Sequence, residues 1–243
     1  STYFVQGSTM DAIADAINAK TGGSSAMTPA QMVTAIGTIS GGGISQGYAI
    51  TAVDSWGMIT SVDIYGNVPV CCFGFYNNAD SVGARLTSVR FMGGTETIGY
   101  GAFQRTAITS ITIPDSVNII SGQAFRGNSA LAHYTHENAR GLYGYNGAAA
   151  TSLYGLNHLE TMQLGAVGKP VTALYKNAFS NMGAPSDAVF TIYCVGDNVD
   201  AFLGQMRNFI TTQTIIFKAA EVTTYNGTSY AAGDTILTSE VTT

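Results

Sequence analysis

Charge is what this chain lacks most: only 10% of its 243 residues are charged, against roughly 25% in an average soluble domain. With 10 Lys+Arg against 15 Asp+Glu and a formal net charge of −5, no positive excess exists to follow a phosphate backbone, so nucleic-acid binding is not expected. No run of about 18 apolar residues occurs, so no membrane-inserting helix is expected, and the sequence as given opens on no basic-then-apolar leader. Three cysteines, of which Cys71 and Cys72 are adjacent, cannot build a disulfide framework and read as buried or incidental thiols. A nucleophile elbow, a phosphate-cradling glycine loop and a His-Glu-x-x-His helix are all missing. The chain therefore reads as no enzyme, with no catalytic residues, no metal and no cofactor.

Glycine is abundant instead. The 29 glycines stand mostly singly, as short turns between many short strands require. The first 40 residues differ from the rest. Met10, Ile13, Ala14 and Ile17 fall on one face of a helix that Ser8 caps and Gly22-Gly23 ends. A second helix starts at Thr28-Pro29-Ala30-Gln31, with Met32, Val33 and Ile36 as its stripe. Two helices this short need a partner surface, so residues 1–40 read as a helical hairpin for anchoring or oligomerisation. Residues 41–47 read as a Gly-rich linker, 48–218 as a solenoid and 219–243 as a C-terminal β cap.

The solenoid reading rests on repetition. Leu86-Thr87-Ser88-Val89-Arg90-Phe91 returns 22 residues later as Ile108-Thr109-Ser110-Ile111-Thr112-Ile113. Ile98-Gly99-Tyr100-Gly101-Ala102-Phe103 returns at the same interval as Ile120-Ser121-Gly122-Gln123-Ala124-Phe125, and Leu174 to Phe179 is a third copy of that half. Weaker strand copies begin at Ile59, Leu131 and Leu159, so strand starts are spaced 27, 22, 23 and 28 residues apart. Each copy alternates apolar and polar residues, which makes a short strand with one face inward. No coil buries its own apolar face, so neighbouring coils must stack. The expected interior is Leu86, Val89, Ile98, Phe103, Ile108, Ile111, Ile120, Phe125 and Phe179. Asn226-Gly227, between Val222–Tyr225 and Thr228–Tyr230, signals a two-residue hairpin in the cap.

These residues resemble the BspA-type leucine-rich repeats of bacterial surface proteins, above all Ile113-Pro114-Asp115-Ser116-Val117 and Gly122-Gln123-Ala124-Phe125. The resemblance implies a mainly β leucine-rich-repeat solenoid with short helices. Asp11 to Ile17, Lys20-Thr21-Gly22 and Met27 to Met32 resemble the opening segment of phage and prophage tail-associated proteins. Together these resemblances imply a non-enzymatic tail protein, made in the cytoplasm and carried on the virion. Its partners would be other tail proteins, copies of itself in a trimer, and a protein or glycan on the host cell. The alternative is a bacterial cell-surface or secreted adhesin, and a third reading is a polysaccharide depolymerase.

Candidate contact residues are Tyr143, Tyr145 and Tyr154 on a Gly-rich insertion, where aromatic rings on small-residue loops suit recognition, with His133 and His136 beside them. The run His133-Tyr134-Thr135-His136-Glu137 has the makings of a metal set, but its His spacing suits a helix where a strand is expected. No second ligand pattern completes a tetrahedron. A depolymerase would need two carboxylates about 5 to 9 Å apart, and the candidates Asp63, Asp115, Glu137 and Glu160 occupy different coil positions with no expected convergence.

Overall fold

The computed structural model describes residues 47–74, 83–143 and 152–240. The expected helical hairpin of residues 1–40, with Met10, Ile13, Ile17, Met32, Val33 and Ile36, lies outside the described residues, as does Tyr145. In chain order the strands are β1 (Gly47–Val53), β2 (Ile59–Tyr65), β3 (Ser88–Phe91), β4 (Thr97–Ile98), β5 (Ser110–Thr112), β6 (Ile119–Ile120), β7 (His133–His136), β8 (Thr161–Leu164), β9 (Val189–Cys194) and β10 (Thr214–Ala219). Helix α1 (Val199–Met206) precedes β10, and β11 (Thr223–Tyr225), β12 (Thr228–Tyr230) and β13 (Thr235–Ser239) follow it. The molecule is mainly β, a solenoid of about 5 turns with few helices.

Strands β5, β7, β8, β9 and β10 pair in parallel as successive coils, and β13 closes that sheet antiparallel to β10. Their register keeps equivalent residues in step, so Ile111, Tyr134, Met162, Phe190 and Ile215 all lie in the core. Behind the strands, Phe73, Phe103 and Phe125 stack with centroids 5.6 and 5.5 Å apart. At Ala102 and Ala124 the preceding coil's chain passes close: Phe73 N–H donates to Ala102 O at 2.9 Å and Phe103 N–H to Ala124 O at 2.8 Å. Both alanines are fully buried, so a larger side chain would overpack the interior there. Of the expected interior, Leu86, Ile98, Phe103, Ile108, Ile111, Ile120, Phe125 and Phe179 are buried and Val89 is half-buried.

Two features depart from the sequence reading. First, Ser88 and Ser110 are equivalent in repeating coils expected to stack, yet β3 belongs to a three-stranded sheet with β1 and β2, while β5 edges the six-stranded one. Phe91, edge-on to Phe103 at 6.3 Å, is a larger inward residue than Ile113 of the next coil. The Met92-Gly93-Gly94 turn after it, with φ of 124° and 70° at its glycines, stands where the next coil has Pro114-Asp115-Ser116. Second, the repeat pattern did not mark β9, β10 or α1, whose Val199, Phe202 and Met206 face the core. The three cysteines are free thiols, with Cys71 exposed, Cys72 half-buried and Cys194 buried. At the C-terminal end Asn226 and Gly227 take φ of 48° and 79° between the antiparallel strands β11 and β12, the conformation a two-residue turn needs.

Candidate functional site: the outward strand face

In a strand every second side chain points away from the core. Across the six-stranded sheet this puts Ser110, His133, Thr161, Val189 and Thr214 in one transverse row, and Thr112, Thr135, Gln163, Thr191 and Ile216 in the next. Each row steps from strand to strand at about 4.8 Å. Hydroxyl and amide groups dominate, and from β5 to β9 only protonation of His133 would add a formal charge. Charges gather at the margins. Lys169 Nζ sits 2.5 Å from Asp115 Oδ2 and 3.2 Å from Glu137 Oε2, and Arg90 holds Asp63 through two hydrogen bonds of 2.9 and 2.6 Å.

His133 lies on this face, exposed, with Nδ1 2.9 Å from Thr161 Oγ1 and Nε2 3.8 Å from Glu160. His136 does not. Three residues along a strand reverse the side-chain direction, so His136 points inward and is fully buried. Tyr143 is also fully buried, which corrects its reading as a contact residue. The Tyr134 and Tyr143 hydroxyls lie 2.5 Å apart, and Tyr143 lies 3.1 Å from His136 Nδ1. These three polar side chains pack the interior because each finds a polar neighbour there. Burial pushes both phenols well above their ordinary range and holds the His136 imidazole down to about 4. Tyr154 is exposed, with the Arg126 guanidinium 4.8 Å from its ring centre.

The histidine pair therefore cannot share a metal ion, and among the described residues no group of three or more His, Cys, Asp or Glu gathers for one. One pair of carboxylates does converge, contrary to expectation: Asp115 and Glu137 meet at Lys169, which occupies the space between them. Asp63 is paired with Arg90 and Glu160 lies by His133.

Sequence reasoning missed Thr135, Gln163 and Thr191 as neighbours in one row. Their signal was the polar residue two places after each strand start, recurring at coil spacing. Among the described residues no helix is long and apolar enough to cross a membrane. No curated protein and no solved structure matches the chain. Residues 82–185 match the family described as BspA type leucine rich repeat region, in 6 copies.

Proposed function

We propose that the protein is a non-enzymatic recognition module, of the surface or adhesion type, that binds through the outward strand face of its solenoid. The observation that carries this reading is the pair of uncharged, hydroxyl- and amide-bearing rows across β5 to β9. A neutral array with evenly spaced donors and acceptors suits a glycan or a neutral protein surface, and a solenoid spreads such binding over many weak contacts. The BspA-type repeats of residues 82–185 fit a bacterial cell-surface or secreted setting.

The finer reading is a phage or prophage tail protein carried on the virion and bound to other tail proteins. It is supported by the resemblance of Asp11 to Ile17 and Met27 to Met32 to tail-associated proteins. In that case residues 1–40 join copies of the chain into a trimer and the solenoid faces the host.

The test is incubation of the full chain with printed bacterial envelope glycans and surface proteins. Retention with no shortening of any polysaccharide is the expected result. Time-dependent shortening would replace this reading with the depolymerase one, whose first candidates are Asp115 and Glu137.

A further inference from the structure

The outward sheet is split at one place, between β3 and β5. The same two coils stay joined behind the split, where β4 pairs with β6 and Ser116 Oγ donates to Thr95 O at 2.6 Å. The opening is therefore one-sided. Met92 N–H donates to Ile64 O of β2, while His133 N–H donates to Thr109 O and Ile113 N–H to Thr135 O on the far side of β5. Successive residues of a strand turn their peptide groups to opposite edges, so those of Val89 and Phe91 face those of Ser110 and Thr112 across the gap. Val89, Arg90, Phe91, Ser110, Thr112 and Pro114 line an open cleft of about 430 Å³ there, within the size range of small-molecule sites.

Width and charge select the occupant. Paired strands lie about 4.8 Å apart, so one inserted strand would need about 9.6 Å between its neighbours. Strands β3 and β5 approach within 8 Å at Cα, which shuts out anything lying between them and leaves the outward mouth of the cleft as the place for a ligand. Arg90 is held by both oxygens of Asp63, which neutralises the cation an anionic ligand would require. What remains is a set of neutral donors and acceptors, two hydroxyls, and the apolar edges of Phe91 and Pro114. That combination matches a ring with hydroxyls at its rim and C–H bonds on its faces.

We propose that the cleft between β3 and β5 binds a single neutral sugar residue of a larger glycan. The site deepens the surface-recognition reading and rests on it for the source of the sugar. The full chain, labelled with nitrogen-15, is titrated separately with N-acetylglucosamine and with galactose. Concentrations reach about 100 mM, well above the millimolar Kd expected of one sugar ring. The amides of Val89, Phe91, Ser110 and Thr112 should shift together with one of the two sugars. Ser110→Phe fills the opening and should abolish the shifts, whereas Thr112→Val, losing one hydrogen bond, should weaken binding about fivefold. Two results overturn the proposal: neither sugar moves these amides, or Ser110→Phe responds like the natural chain. If the full chain still binds envelope surfaces when no sugar moves the four amides, the cleft proposal falls and the broader reading stands.

Discussion

Gln123 stands where the preceding coil has Gly101, and both take φ of 61°. Left-handed backbone costs a residue with a Cβ about 1 kcal/mol or more, and Gln123 Oε1 is in addition buried without a hydrogen-bond partner. Gln123→Gly should therefore raise stability by about 0.5–1 kcal/mol in urea unfolding, after the larger entropy of a glycine in the unfolded chain is subtracted. Gly127→Ala should do the reverse, lowering stability by about 1–2 kcal/mol, because Gly127 has φ of 71° and a Cβ there would stand 3.0 Å from Arg105 Cγ. His136 sets a pH dependence. Above pH 6.5 the imidazole is neutral whether the chain is folded or not. Below it the unfolded chain takes up a proton that the folded chain refuses until about pH 4. Stability should fall by about 3 kcal/mol as pH drops through that window, and His136→Leu should flatten the fall in urea midpoints measured from pH 7.5 to 4.5. The sequence shows His136 as one of a polar pair; its burial follows from strand alternation once the strand is placed at His133–His136. The Tyr143 contact depends on an insertion whose path no repeat dictates.

At the scale of elements, the aromatic stack does most to hold coil on coil. Phe103 stacks on Phe73 on one side and Phe125 on the other and is fully buried. Phe103→Ala should cost about 3–5 kcal/mol. Because each coil depends on its neighbours, hydrogen exchange should quicken first around Phe73, Ala102 and Ala124, while β9 and β10 keep their protection. An equal loss across the whole sheet would argue against such local coupling. The two coils from Leu86 to Phe125 were legible because their halves recur at one interval, and Phe73 was not, standing 30 residues before Phe103. Strands β9 and β10 carry clear alternation, as in Val189-Phe190-Thr191-Ile192, but Ala201-Phe202 after β9 sits inside α1 and lacks the glycine lead of Gly99 to Phe103 and Gly122 to Phe125. The split beside β3 left only a faint trace, Phe91-Met92 in place of Ile113-Pro114, and its position depends on how Phe91 packs.

For the whole molecule, the proposal separates a binding face from a segment that gathers copies. Light scattering of the full chain should give an oligomer, and the chain beginning at Gly47 should give the mass of a monomer. An oligomer in both would move self-association onto the solenoid. The site was half visible before folding was known. His133 and Tyr154 are exposed, while the rows that join Thr161 to His133 and Gln163 to Thr135 exist only through a register that no single strand encodes. The measurement that tests the central claim most directly compares retention on the envelope array between the natural chain and the double variant Thr161→Glu/Gln163→Lys, with Glu221→Lys in the C-terminal cap as control. Both face positions are solvent-accessible, so the variant should fold, lose its retention and leave the control unaffected. Retention equal to the natural chain's would contradict recognition through the strand face.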